Sequence, residues 1–88
     1  MHVTRADEVL FEIIDATAVL VDPEGRELFT LNPVGSLVWE ALAEYGEPAA
    51  LADHLLPKLS GVPRDQLESD VRVFLEELRT VGLVVDRA

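Results

Sequence analysis

The feature that most constrains the fold is a change of hydrophobic period at Asn32-Pro33. Before this dipeptide, apolar residues occur in short β-branched runs, and after it they recur at spacings of three and four residues. Asn is a preferred helix N-cap and Pro suits the first helical position, so the dipeptide marks where strands give way to helices. The chain has the length of one domain, and we expect residues 1–88 to form a single domain.

Three strand-like runs precede the dipeptide, at residues 9–14, 17–21 and 27–31. The segment Asp22–Gly25 predicts a turn before the third strand, because its proline presets φ and its glycine tolerates positive φ. These short connections favour an antiparallel meander. In the third strand Phe29 and Leu31 share one face, which we assign to the core. Leu28 and Thr30 share the other face and are freer to meet a ligand.

Three amphipathic helices are predicted after the dipeptide. The first ends at Gly46, and Trp39 lies beside its apolar stripe, where it can cover the sheet. The second is kinked or ended by Pro57. The third has Pro63 in its first turn and Gly82 after its last, and residues 83–85 are expected to dock on the core. Its stripe consists of Leu67, Val71, Phe74, Leu75, Leu78 and Val81. The order predicts an α+β fold, winged-helix-like, with a three-stranded antiparallel sheet followed by three helices.

Composition excludes several function classes. The chain has no cysteine, and His2 and His54 are too far apart in sequence to form a metal-site spacing, so we expect no metal and no cofactor. No nucleophile–base constellation or phosphate loop indicates an enzyme. The net charge of −10 and seven scattered basic residues disfavour nucleic acid or an anionic membrane as partner. With no apolar run near ~20 residues and no signal-peptide h-region, a cytoplasmic protein is expected.

Three ordered segments resemble the PqqD family. Leu31–Leu42 matches the family's LN-x-x-G-x-x-x-W pattern, which follows the third strand and opens the first helix. Asp70–Val84 resembles the family's DV-x-x-FL-x-x-L-x-x-x-GLL ending, and Asp22–Phe29 resembles its D-x-x-G-x-x-(Tyr/Phe) approach. Together these segments cover most of residues 18–85. Each is mainly hydrophobic spacing, and their order in a chain of this length makes the resemblance specific.

The resemblance implies a recognition element for precursors of ribosomally synthesised and post-translationally modified peptides (RiPPs). Such domains bind the leader of the precursor, which adds as a strand beside the third strand and packs against the third helix. The short chain with Leu-Asn-Pro most resembles the standalone version of lasso-peptide biosynthesis, which works with a separate leader peptidase and a macrocyclase. The family often has Thr or Ala where this chain has Val34 and Ser36, and these small differences leave the resemblance unchanged.

The expected site is a groove between the free edge of the third strand and the third helix, since an extended peptide can add to a sheet edge. Backbone groups of the strand would bind the peptide, and Asp70 could pair with a basic or hydroxyl-bearing leader residue. For the helix positions, core packing and a solvated carboxylate are the alternatives. The predicted peptide-binding residues are Glu27, Leu28, Phe29, Thr30, Leu31, Leu67, Asp70, Val71, Phe74 and Leu78.

Other residues of the motifs are expected to support the fold. Asn32 is assigned to a helix cap, Gly35 to close packing and His54 to an exposed helix position. Two other functions stay open: a winged-helix DNA-binding domain, and self-pairing of an exposed edge strand. The DNA-binding reading needs a basic recognition helix, whereas the third predicted helix has more acidic than basic residues.

Overall fold

The computed structural model describes residues 1–87 and confirms the predicted architecture, a three-stranded antiparallel sheet with three helices. No helix within these residues is long and apolar enough to cross a membrane. The elements in chain order are β1 (Val3–Arg5), β2 (Leu10–Ile14), β3 (Thr17–Val21), β4 (Leu28–Thr30), α1 (Pro33–Ala41), α2 (Pro48–Leu55), α3 (Arg64–Thr80) and β5 (Val84–Asp86).

The sheet has the order β2-β3-β4, so β3 is central and the other two strands are its edges. The β2–β3 hairpin turns through Asp15 and Ala16, whose φ angles are +50° and +63°. Two successive positive φ angles are typical of the type I′ turn, whose twist matches that of a hairpin. On the inner face, Ala18 and Leu20 are fully buried, and α1 packs against β3.

The junction of β4 and α1 is fixed by two polar side chains. Asn32 caps α1 as predicted, because its Oδ1 accepts the Gly35 N–H at 2.7 Å. The buried Ser36 Oγ accepts the Ala18 N–H at 2.7 Å, and its hydroxyl donates to the Asn32 carbonyl at 2.8 Å, with the Leu31 carbonyl next at 3.2 Å. The hydroxyl thereby gives the Ala18 N–H a partner where the next ladder hydrogen bond would lie, and it holds α1 on β3.

The prediction that Gly46 ends the first helix is wrong. Helix α1 ends at Ala41, and a hydrogen-bonded turn separates it from Gly46. Gly46 is buried instead, its carbonyl accepts the Val3 N–H at 2.9 Å, and a Cβ there would collide with the Val3 carbonyl and the His2 ring. The glycine is needed for this close approach of the two backbones. At Pro57 the prediction holds, since α2 gives way to a 3₁₀ turn.

Helix α3 ends as the sequence predicts. Gly82 has a φ of +80°, its N–H binds the Arg79 carbonyl, and the Leu83 N–H binds the Leu78 carbonyl at 2.9 Å. These two bonds form a Schellman motif. At the other end Pro63 is the N-cap residue, one position before the first turn to which it was assigned.

A second sheet, absent from the sequence prediction, joins the two ends of the chain. Strand β1 pairs antiparallel with β5, with Val3 opposite Asp86 and Arg5 opposite Val84. Val3 and Val84 are each 1% exposed, so the two strands contribute these valines to the core and cover one side of it. The expected docking of residues 83–85 is confirmed, because Leu83 and Val84 are buried, whereas the following residue, Val85, faces outward.

Trp39 is the largest side chain of the core and is fully buried. Its ring meets Phe11 of β2 edge-on, with centroids 5.6 Å apart, so it covers the sheet as expected. The Arg5 guanidinium lies 4.6 Å from the Phe11 centroid and 4.9 Å from that of Trp39, and its Nε donates to the Trp39 carbonyl at 3.0 Å. Burial lowers the pKa of Arg5, although the nearby Glu40 carboxylate opposes this effect.

Candidate functional site

The free edge of β4 presents unpaired backbone groups. The Asp22 N–H binds the Glu27 carbonyl and the Leu31 N–H binds the Ala18 carbonyl, so residues 27 and 31 direct their ladder groups towards β3. Because these directions alternate along an antiparallel strand, Leu28 and Thr30 direct their N–H and C=O groups away from β3. Within residues 1–87 no strand pairs with this side of β4.

An apolar cavity of about 270 Å³ opens beside the end of β4. It lies between the start of α1, one side of α3 and the loop that precedes α3. This volume is just below the range of pockets for small molecules, about 300–1,000 Å³, and suits one or two peptide side chains better than a cofactor. The residues that line it are Asn32, Val34, Gly35, Val38, Leu59, Val62, Leu67, Asp70, Val71 and Phe74.

Phe74 of α3 lies against Gly35 of α1. A Cβ built at Gly35 would lie 3.1 Å from Phe74 Cζ, tighter than an ordinary van der Waals contact. The missing side chain of Gly35 therefore leaves room for the tip of the Phe74 ring against α1. The Phe74 ring is half-buried, since it packs on the core with one side and borders the cavity with the other.

Asp70 is the only carboxylate on the cavity wall within the described chain. It lies on an exposed turn of α3, and its Oδ1 accepts a hydrogen bond from Gln66 Nε2 at 2.8 Å. An exposed carboxylate at the rim of an apolar cavity can accept a hydrogen bond from a ligand without losing much hydration. The site is thus suited to an apolar side chain with a donor next to it.

The predicted peptide-binding residues fall into three places. Leu67, Asp70, Val71 and Phe74 lie together on the cavity wall. Residues 27–31 lie on or next to the free edge, where Leu31 is buried and Phe29 half-buried, as the sequence predicts. Leu78 is buried like Leu67 and Val71, but unlike them it does not line the cavity, so it has no surface there for a ligand.

Sequence reasoning missed the wall opposite α3. Asn32 and Gly35 were assigned to the fold alone, yet both also line the cavity. One signal was available in the sequence, an apolar residue, Val34, in the first turn of α1. In the structure its side chain is 43% exposed. His54 also differs from its expected exposed position, because it is half-buried and stacks on Tyr45 with centroids 4.8 Å apart.

The described chain offers neither a metal site nor a basic recognition helix. No group of three or more His, Asp or Glu side chains in residues 1–87 could hold a metal ion. Each arginine of α3 lies near a carboxylate: Arg64 pairs with Asp53 at 2.7 Å and with Glu68 at 2.5 Å, and hydrogen bonds to both carboxylates raise its pKa. Arg72 and Arg79 pair with acidic residues at 3.9 and 2.8 Å.

Comparisons with known proteins agree with this geometry. Residues 17–84 match the family described as Coenzyme PQQ synthesis protein D (PqqD). A solved structure of TbiB1 in complex with the TbiA(beta) leader peptide is 32% identical, has a TM-score of 0.86, and the match covers 97% of this chain and 98% of that one. No curated protein sequence matches the chain.

A second solved structure, lasso peptide synthetase B1 complexed with the leader peptide, has a TM-score of 0.81 at 24% identity. The match covers 97% of this chain and 99% of that one, and at this identity it shows a shared fold. The resemblance drawn from the three sequence segments is confirmed by the family match over most of the chain. The chain belongs to the PqqD family.

Proposed function

We propose that this protein binds the leader of a ribosomally made precursor peptide and has no catalytic role of its own. The observation that carries the proposal is the likeness, over nearly the whole chain, to a 32% identical protein that was solved with a leader peptide. The free edge of β4 beside an apolar cavity supports it, since an edge and a cavity are what an extended peptide requires.

In the proposed complex the leader adds as a fourth strand next to β4. Its backbone pairs with the outward N–H and C=O groups of Leu28 and Thr30, and these bonds do not depend on the leader's sequence. Selectivity comes from an apolar leader side chain that enters the cavity near Phe74 and Val71. A hydroxyl-bearing or basic leader residue next to it donates to Asp70.

We further infer that residues 1–88 act as one domain that delivers the bound precursor to a leader peptidase and a macrocyclase, in lasso-peptide biosynthesis. The likeness to a lasso peptide synthetase B1 supports this assignment. Delivery would take place in the cytoplasm, where the precursor is synthesised. A cavity that suits one or two peptide side chains, beside a free strand edge, fits a protein that holds a peptide for separate enzymes.

Substitutions at Thr30 test strand addition separately from side-chain contacts. Proline at this position removes an outward N–H that β3 does not use, and valine keeps that N–H. We expect Thr30→Pro to weaken the binding of a fluorescently labelled leader about five- to tenfold, which corresponds to one lost hydrogen bond of about 1–1.5 kcal/mol. Thr30→Val should bind within about twofold of the unmodified protein.

Circular dichroism and a thermal melt would establish that both Thr30 variants are folded before the affinities are compared. Equal affinity of the folded proline and valine variants would exclude strand addition at β4. A protein that binds no leader from any precursor encoded beside it would refute the proposed function as a whole.

A further inference from the structure

Two carboxylates lie at opposite ends of the groove proposed for the leader. Glu27 directly precedes β4, its carbonyl binds the Asp22 N–H, and its side chain is exposed. Asp70 lies on the wall of the cavity, which opens beside the other end of the strand. Between them are the outward backbone groups of Leu28 and Thr30, with which an added strand would pair. An extended peptide bound at this edge therefore passes both carboxylates.

Both carboxylates lie on the side of the sheet that carries the helices. Side chains alternate along a strand, so Glu27 shares the side of Phe29 and Leu31, which pack on the core. Asp70 belongs to α3, whose apolar side chains join the same core. A strand added to β4 turns every second side chain towards this side. Residues 27 and 31 span about 13 Å, so the leader residues that meet the two carboxylates are about four to six positions apart.

No cation of residues 1–87 lies within 4.0 Å of the Glu27 or the Asp70 carboxylate. The guanidinium of Arg26, the neighbour of Glu27 in sequence, lies 3.4 Å from the Glu24 carboxylate instead. The polar contact of Asp70 is with Gln66, which is neutral, and no basic residue lines the cavity. Because the negative charges of the groove are not neutralised within the described chain, a ligand that supplies cations opposite them is complementary, and one with Asp or Glu there is repelled.

We propose that Glu27 is a specificity-determining residue which, together with Asp70, selects leaders that carry Lys or Arg at both ends of the segment paired with β4. The inference rests on the proposed leader-binding function and deepens it, because the cavity reads an apolar side chain and the two carboxylates read charge. Exposed ion pairs contribute little each and are screened by salt. The carboxylates therefore discriminate between leaders, whereas the strand pairing and the cavity supply most of the affinity.

A charge scan of one leader peptide tests the inference. Each labelled peptide of the set has lysine or glutamate at a single position of the binding segment, and fluorescence anisotropy measures its affinity at 150 mM NaCl. We expect lysine to bind about three- to tenfold more tightly than glutamate at two positions, four to six residues apart, and within about twofold at the other exposed positions. Glu27→Lys should reverse the preference at one of the two positions, and Asp70→Lys should reverse it at the other.

Glu44→Lys is the matched control, because it changes the net charge by the same amount and Glu44 is an exposed residue that lines a separate hollow between α1 and α2. It should leave the pattern of the scan unchanged. Tighter binding of a glutamate-containing leader by Glu27→Lys is a gain that a purely structural role of Glu27 could not produce.

The outcomes separate this inference from the proposed function. If leaders bind but no position prefers lysine, or if Glu27→Lys and Glu44→Lys alter the scan equally, the assignment of Glu27 is wrong and the proposed function stands. If no leader of the set binds the unmodified protein, the proposed function itself fails.

Discussion

At the scale of single residues, the wall of the cavity depends on one aromatic side chain. Phe74 packs on the core with part of its ring and closes the gap to Gly35 with the rest. Its neighbour Val73 is on the same helix, points away from the cavity and is more than half exposed. The two adjacent positions therefore separate an effect on the site from an effect on α3.

We expect Phe74→Ala to weaken leader binding about tenfold or more, because the apolar leader side chain loses its largest contact. Val73→Ala should leave the affinity within about twofold. A labelled-leader titration measures both, with melting temperatures to correct for any loss of folded protein, since truncating a half-buried Phe also destabilises the core. Equal affinities for the two folded variants would mean that the cavity does not receive the leader.

Ala16 is a residue in a conformation that its side chain disfavours. Its φ of +63° costs an L-residue about 1–2 kcal/mol, and glycine lacks that cost. Part of the gain is lost because glycine is more flexible in the unfolded chain. We expect Ala16→Gly to raise the free energy of unfolding by about 0.5–1 kcal/mol in urea denaturation. Ala50→Gly, inside α2, should lower it by about 1 kcal/mol, and a loss of stability at Ala16 would contradict the turn geometry.

At the scale of elements, what could be predicted from the sequence depended on local signals. Strand β3 and the C-terminus of α3 are encoded by neighbours in sequence, a β-branched run in one case and Gly82 in the other. The pairing of Val3 with Asp86 joins opposite ends of the chain through two three-residue strands, and no local pattern reports such a pairing. Gly46 was wrongly predicted to end the first helix for the same reason, because its partner Val3 is distant in sequence.

The candidate site divides in the same way. The α3 wall follows from helical periodicity, which identifies Val71 and Phe74 as one edge of an apolar stripe. The opposite wall does not follow from periodicity. Capping and packing already account for Asn32 and Gly35, so neither residue by itself indicates a ligand site. Leu59 and Val62 belong to a loop, where spacing carries no information about which way a side chain points. Tertiary packing brings these residues to one cavity.

A substitution at Ser36 tests how the main sheet and α1 are joined. Its hydroxyl satisfies the buried Ala18 N–H, and without it that donor has no partner in the core. Leaving such a group unsatisfied costs about 1–3 kcal/mol, so we expect Ser36→Ala to lower the free energy of unfolding by that amount. Ser69→Ala on the exposed side of α3 serves as the control and should change stability by less than about 0.5 kcal/mol. Denaturant titration of both variants measures the difference.

At the scale of the whole molecule, the net negative charge is the property that acts on an approaching peptide first. The net charge is −10, and within residues 1–87 four of the seven basic side chains lie within 4.0 Å of a side-chain carboxylate. Such a field changes how fast a charged ligand arrives far more than how long a well-packed ligand stays. The consequence for a leader peptide is a kinetic one, and it can be separated from the contacts in the groove.

Two versions of one leader, identical in the binding segment and extended at the far end by either two lysines or two glutamates, isolate the effect of the field. We expect the lysine version to associate several-fold to tenfold faster at 20 mM NaCl, with equal dissociation rates, because the added residues make no contact in the groove. At 500 mM NaCl the Debye length falls to about 4–5 Å and the two association rates should converge. Stopped-flow fluorescence measures both rates. A difference confined to dissociation, or one that persists at high salt, would show that the extensions touch the protein, and the proposed groove would then have to be longer than the edge of β4 and its cavity.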